Sequence, residues 1–244
     1  MQNLNPIIII PARLAATRLP NKPLADINGK PMIVRVYDRA LAADLGPVVV
    51  AAGDKEIVDV ITKVKGKAIL TDPALPSGSD RIWAAIQSAD PTGLHEVIIN
   101  LQGDLPDIDP HTLQAILNLM QDSKVDIATA AARIPNLNEA EKPNVVKIAM
   151  HQYGKHSGRA LYFSRSLIPH GAGEHWHHIG IYAYRRKALE KFIASPPSAL
   201  ESREKLEQLR ALELGLRIDV ALVDRVPIAI DTPEDLELAR RLIK

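Results

Sequence analysis

The sequence predicts an α/β protein: a doubly wound, mostly parallel sheet carrying a smaller substrate lobe. Three observations predict it. Short, continuously apolar runs alternate with helix-period segments through the first two-thirds of the chain, which is the pattern of βαβ units. From about residue 144 the apolar runs carry polar and aromatic residues, and loops rich in His, Gly and Pro separate them. The 244 residues, 46% apolar and 24% charged, suffice for one large domain with a substantial core.

Taken in order, strands are expected at residues 7–10, 48–52, 68–70, 97–101 and 127–132. Each is a continuous apolar run, as expected of parallel strands covered on both faces. A helix is expected over 31–43, where Ile33, Val36, Tyr37, Ala40 and Leu41 recur at helical spacing. Others are expected over 55–64, 80–89 and 110–120. Beyond residue 144, strands are expected at 145–150, 160–163 and 179–184, then a long helix over about 201–214 and a strand at 218–222. The face of that helix from Glu201 to Arg210 reads as exposed and salt-bridged. The last helix has a clear start: Thr232 as N-cap, Pro233 at the first helical position and Asp235 three residues past the cap. The whole is read as a single domain, residues 1–244, with the substrate lobe at about 144–225.

Composition removes several function classes. Thirty basic residues against 29 acidic ones give no general affinity for nucleic acid or an anionic membrane. There is no cysteine, which removes disulfides, thiolate zinc sites and cysteine nucleophiles and fits a reducing cytosol. The apolar run at 7–10 is too short for a signal peptide. No run approaches the roughly 20 apolar residues of a membrane span, so a soluble protein is expected.

In an open α/β sheet, ligands bind beyond the carboxyl ends of the strands. After the first strand, a loop with three prolines carries Arg13, Arg18 and Lys22. A guanidinium fork and a compact ammonium suit a polyphosphate; the alternative is a solvated basic loop. Neither GxxxxGK[ST] nor GxGxxG occurs there. After the fourth strand, Gly103 allows close backbone approach and Asp104 follows it, either a Mg²⁺ ligand beside a triphosphate or a turn residue. Asp231 precedes the last helix, as a second carboxylate or a cap-region residue. Ser77-Gly78-Ser79-Asp80-Arg81 opens a helix whose N–H groups and hydroxyls can hold a base or phosphate, or simply cap it. The loop cluster His175-Trp176-His177-His178 lacks the i, i+4 spacing of a helical zinc pair.

Together these segments resemble the 3-deoxy-manno-octulosonate (Kdo) cytidylyltransferase family, from Ile8 to the final helix. The resemblance is carried by Pro11-Ala12-Arg13, Thr17-Arg18-Leu19-Pro20, Lys22-Pro23-Leu24, Asn28-Gly29-Lys30-Pro31-Met32, Ser77-Gly78-Ser79-Asp80-Arg81 and Asn100-Leu101-Gln102-Gly103-Asp104. It continues through Pro143-Asn144-Val145-Val146-Lys147, Ala160-Leu161-Tyr162-Phe163-Ser164-Arg165, His178-Ile179-Gly180-Ile181-Tyr182, Leu206-Glu207-Gln208-Leu209-Arg210 and Asp231-Thr232-Pro233-Glu234-Asp235-Leu236.

The resemblance implies a Rossmann-like nucleotidyltransferase fold whose smaller lobe serves sugar binding and dimerisation. It implies a cytoplasmic, Mg²⁺-dependent, homodimeric enzyme that makes CMP-Kdo and pyrophosphate from CTP and Kdo for lipopolysaccharide assembly. By it, Arg13 and Lys22 contact phosphate and, with Asp104, carry the chemistry. Pro11, Ala12, Ser77, Ser79 and Arg81 complete the nucleotide site. Arg18, Gln102, Arg165, His178, Tyr182, Glu207 and Gln208 hold the sugar, and Asp104 and Asp231 bind the metal. Three departures from the family pattern are Leu105, Asn21 before Lys22, and Ala51-Ala52-Gly53-Asp54 after the second strand. They leave those ligands in place and keep open a modified sugar such as 8-amino-Kdo. Sialic acid is a further alternative substrate, and a non-catalytic nucleotide-binding regulator is the alternative to an enzyme.

Overall fold

Pro6–Ala12 forms β1, with Ile7, Ile8, Ile9 and Ile10 all buried. The structure, a computed structural model, describes residues 4–15 and 18–243; Ala16 and Thr17 of the cationic loop lie outside the described residues. The chain divides into two units, Leu4–Gln114 with Pro227–Lys244, and Ala115–Val226.

In the first unit, β2 (Asp26–Ile27) and β3 (Lys30–Pro31) make a small antiparallel hairpin. Parallel pairing gives the order β5 (Lys67–Leu70), β4 (Val48–Ala52), β1, β6 (Val97–Asn100). Every residue of β4 and β6 is buried, because helices cover both faces of a parallel sheet. The helices of this unit are α1 (Met32–Ala42), α2 (Lys55–Lys63) and α3 (Gly78–Ala89); α4 (Pro110–Leu119) follows.

The second unit orders its strands β10 (Trp176–Arg185), β7 (Ile127–Arg133), β11 (Ile218–Val223), β9 (Ser157–Ser164), β8 (Lys147–Gln152). Only β7 and β11 run parallel; the other pairings are antiparallel. β8 also meets β10 through His177 and Lys147, which closes the five strands into a ring. Its helices are α5 (Leu137–Ala140), α6 (Arg186–Ala194), α7 (Ala199–Glu204) and α8 (Gln208–Glu213).

Three expectations are corrected here. The long helix over 201–214 is two short ones, α7 and α8, because Lys205 adopts a left-handed φ of 57°. Such a residue ends a helix. Glu201 and Arg210 are therefore not an exposed face; both are buried and paired. Finally, Trp176, His177 and His178 stand on β10 rather than in a loop. Helices α5 and α6 and the β2–β3 hairpin add to the elements expected from pattern.

The closing helix, α9 (Pro233–Leu242), belongs to the first unit. Leu236 and Ala239 pack with Ile230, Ile27 and Met32. Its start is as expected: Thr232 accepts from the Asp235 N–H, and the Asp235 carboxylate accepts from the N–H groups of Asp231 and Thr232.

Candidate active site

Side chains at the ends of β1 and β6 and the start of α3 line one cleft of about 230 Å³, among them Pro11, Ala12, Arg13, Lys22, Ser77, Arg81, Gln102 and Asp104. Gly103 lines it, and Gly53 lies behind Arg13 and Arg81. A Cβ on Gly103 would lie 2.9 Å from the Pro11 carbonyl oxygen, and one on Gly53 would lie 2.9 Å from Arg81 Nη1 and 3.0 Å from Arg13 Cβ. At Gly103 the lack of a side chain is what lets the two backbones approach this closely. The loop after β1 is tied back by the Leu14 N–H, which donates to Asp54 at 2.7 Å.

Lys22 opens a 3-10 turn, and Asn21 before it takes φ 56°. Asparagine tolerates that region better than most residues. From this turn Lys22 Nζ donates to Asp104 Oδ2 at 2.8 Å and to Asp231 Oδ1 at 2.9 Å. Asp231 reaches Asp104 across 127 residues of sequence because the Ile230 N–H donates to the Asp104 carbonyl at 3.1 Å. The packing of α9 against Ile27 and Met32 holds that contact. Arg18 adds a 3.3 Å ion pair to Asp231. Burial disfavours the Lys22 ammonium, but the charges and hydrogen bonds of Asp104 and Asp231 outweigh it and raise its pKa above the ordinary lysine value.

Two carboxylates thus converge on one point, which the Lys22 ammonium marks as a place for a cation. Hard oxygen donors such as these suit Mg²⁺. Asp104 and Asp231 are the residues that would hold it.

Arg81 is only 2% exposed. Its guanidinium donates to Thr71 Oγ1 at 2.6 Å and to the carbonyls of Asp72 and Pro73; burial, then the charge of Arg13, lowers its pKa. Ser77 caps α3 by accepting from the Asp80 N–H at 3.1 Å, and Ser79 is buried in the first turn.

The residues expected to bind the sugar divide between the units. Arg18 and Gln102 belong to the first unit, and Arg165, His178, Tyr182, Glu207 and Gln208 to the second. In the second unit a row of rings runs Phe163, His178, Tyr182, Tyr184, Phe192, with successive centroids 5.1, 5.5, 5.6 and 6.3 Å apart. Burial, and then the charge of His177, pushes the His178 pKa down to about 3. Burial, then Tyr184 and Glu207, raises that of Tyr182, so both are neutral polar groups near pH 7. Gln208 is buried and its Nε2 has no hydrogen-bond partner among the described residues, the kind of donor that a ligand acceptor satisfies. Arg165 spends Nε on the Glu204 carbonyl at 2.8 Å, Nη1 on Pro143 and Nη2 on Lys205. Two of its five donors remain for an anion.

The remaining histidine of the cluster, His175, places Nδ1 3.1 Å from the Ile168 carbonyl oxygen. Its environment is separate from that of His178. Sequence reasoning assigned no individual role to Thr129, Lys147 or Asp54. Lys147, fully buried, directs its ammonium to the carbonyls of Lys142, Val145 and Arg165. The available signal was a lone polar residue inside an apolar run, which Thr129 also is.

Because His178 is neutral when folded and ionises near 6.5 when unfolded, the unfolded chain binds the extra proton. Stability therefore falls as pH drops from about 6.5 toward 3, by about 2 kcal/mol at pH 5. Urea unfolding at pH 7 and pH 5 should show this loss, and His178→Gln should remove that part of it.

The sequence profile of a cytidylyltransferase family matches residues 7–218. The chain is 55% identical over 245 aligned positions to a 3-deoxy-manno-octulosonate cytidylyltransferase of Paramagnetospirillum magneticum, covering 100% of each. It is 56% identical over 240 positions to one of Rhodospirillum centenum, covering 98% of this chain and 93% of that protein. Among solved structures it resembles a CMP:2-keto-3-deoxy-manno-octonic acid synthetase complexed with CTP, with a TM-score of 0.91, 38% identity and 98% of both chains covered. A 4-diphosphocytidyl-2C-methyl-D-erythritol synthase of Anaerococcus prevotii shares the fold at a TM-score of 0.65 and 13% identity, covering 97% of this chain and 96% of that one.

Proposed function

We propose, since this chain belongs to the 3-deoxy-manno-octulosonate cytidylyltransferase family, that it joins CTP and Kdo into CMP-Kdo and pyrophosphate, the activated sugar then serving lipopolysaccharide assembly. The observation that carries the reading is the convergence of Asp104 and Asp231 on Lys22 at a cleft lined by Arg13, Ser77 and Arg81.

In this reading the anomeric 2-hydroxyl of the sugar attacks the α-phosphorus in line. The bond from the α-phosphorus to the oxygen bridging to the β-phosphate breaks, pyrophosphate leaves with the electron pair, and the hydroxyl's proton is released to solvent. Arg13 and Lys22 bind the phosphates and stabilise charge growing on the phosphoryl and leaving-group oxygens. Ser77 and Ser79, at the start of α3, and the anchored Arg81 shape the nucleotide site together with Pro11 and Ala12. Mg²⁺, when held by Asp104 and Asp231, neutralises phosphate charge and makes a hydroxyl more acidic. Arg165 takes the sugar carboxylate with its remaining donors. Arg18, Gln102, His178, Tyr182, Glu207 and Gln208 take the hydroxyls; the unpartnered Gln208 Nε2 supports its place in that set. No helix of the described residues is long and apolar enough to cross a membrane. In this reading the reaction takes place in the cytoplasm, where CTP is made, and the working form is a homodimer.

Pyrophosphate release, measured with CTP, ATP, GTP and UTP in turn, with and without Kdo, tests this. Release is expected only with CTP and Kdo together. Release with 8-amino-Kdo or sialic acid in place of Kdo would reassign the sugar, and none with any sugar acid would overturn the enzymatic reading.

A further inference from the structure

We propose that Thr129 is a positioning residue for the sugar site: its hydroxyl closes the bulge in β10 that sets His178 and Tyr182 side by side and fixes which nitrogen of His178 bears hydrogen. The inference rests on the reading above, in which those two side chains contact the sugar.

The geometry is that of a strand interrupted where the site requires it. Along β10, Ile179 pairs with Ala130 of β7, but Tyr182 already pairs with Thr129, so Gly180 and Ile181 are extra residues. In a regular strand His178 and Tyr182, four residues apart, would be separated by roughly 13 Å. Here their β7 partners, Ala131 and Thr129, are two residues apart, and the two rings lie 5.5 Å centroid to centroid. A bulge leaves ladder groups unpaired, and buried carbonyls require partners. Thr129, with no exposed surface, supplies one: its Oγ1 lies 2.7 Å from the Ile181 carbonyl and 3.2 Å from that of Ile179.

A hydroxyl has one proton, and the shorter contact, at the ordinary O–H···O distance, takes it. The Thr129 oxygen is then an acceptor toward His178 Nε2, 3.2 Å away. Nε2 therefore carries hydrogen, and Nδ1 is left as an acceptor; Thr129 is the one hydrogen-bond partner of this ring among the described residues. A neutral imidazole in that tautomer accepts a hydrogen bond from a sugar hydroxyl at Nδ1. Valine has the shape of threonine but lacks the oxygen, so Thr129→Val removes the clasp and the tautomer constraint together.

The experiment compares Thr129→Val, Thr129→Ser and His178→Ala, reading KM for each substrate and the His178 ring nitrogens by ¹⁵N NMR. Thr129→Val is expected to raise KM for Kdo about tenfold or more, leave KM for CTP within twofold, and mix the two tautomers of His178. Thr129→Ser, which retains the hydroxyl, should restore both readouts. Thr129→Ala serves with the same expectation where the valine methyls disturb folding. An unchanged Kdo KM and tautomer in Thr129→Val, with a raised KM in His178→Ala, would overturn the role of Thr129 alone. An unchanged Kdo KM in His178→Ala would overturn the sugar-site reading, and this proposal with it.

Discussion

Asp104→Asn lowers turnover by about a hundredfold or more while CTP binding persists, an effect comparable to losing a main electrostatic element. The amide is nearly the size of the carboxylate and still accepts a hydrogen bond from Lys22 Nζ, so the 2.8 Å contact has no steric reason to fail. What disappears is negative charge at the point on which Lys22, Asp104 and Asp231 converge. Arg13, Ser77 and Arg81, which line the cleft, are untouched, so the dissociation constant for CTP should change little. Turnover at saturating Mg²⁺ and equilibrium CTP binding, measured on the same preparation, separate the two effects. Near-normal turnover would remove Asp104 from the metal-binding and catalytic set.

Arg210→Met destabilises the fold by about 3–5 kcal/mol, because it strands a buried carboxylate. Arg210 donates Nε to Glu201 Oε2 at 2.7 Å and Nη2 to Glu201 Oε1 at 2.6 Å, with each side chain only 10% exposed. The guanidinium also reaches the carbonyls of Phe192 and Ser195 and lies 4.4 Å over the Phe192 ring. Burial alone would raise the Glu201 pKa; the Arg210 bonds and the Ser198 N–H outweigh it and hold it low. Without Arg210 that balance reverses, and Tm should fall by on the order of 10 °C. The double variant Glu201→Gln, Arg210→Met leaves no stranded charge and should recover part of the loss. Equal unfolding midpoints for Arg210→Met and the unaltered protein would show the pair to be incidental.

How far the sequence foretells this depends on the range of the interaction. Strands such as β1 and β4 announce themselves, because continuous apolar runs between turn residues have few other uses. Asp104 and Lys22 are readable as strand-end chemistry. Asp231 is not, since its place depends on the backbone contact of Ile230 with Asp104 and on the packing of α9. The break at Lys205 carries no glycine to mark it, so α7 and α8 read as one helix. Residues nine apart on a straight helix point to opposite sides, which hid the Glu201–Arg210 pair. The clasp at Thr129 was equally silent, because a two-residue bulge exists only in the pairing of β10 with β7.

If Gln208 holds the sugar as proposed, its unpartnered Nε2 would give that site a selectivity that works by refusal. A buried donor without an acceptor is a standing cost of about 1–3 kcal/mol. A molecule bearing an oxygen at that point cancels the cost, whereas one bearing a C–H or another donor leaves it in full. Discrimination of this kind needs no added attraction for the right molecule. Gln208 heads α8, just past the break at Lys205. The same turn that leads into the buried Glu201–Arg210 pair therefore also places the group that, in that role, would reject the wrong sugar.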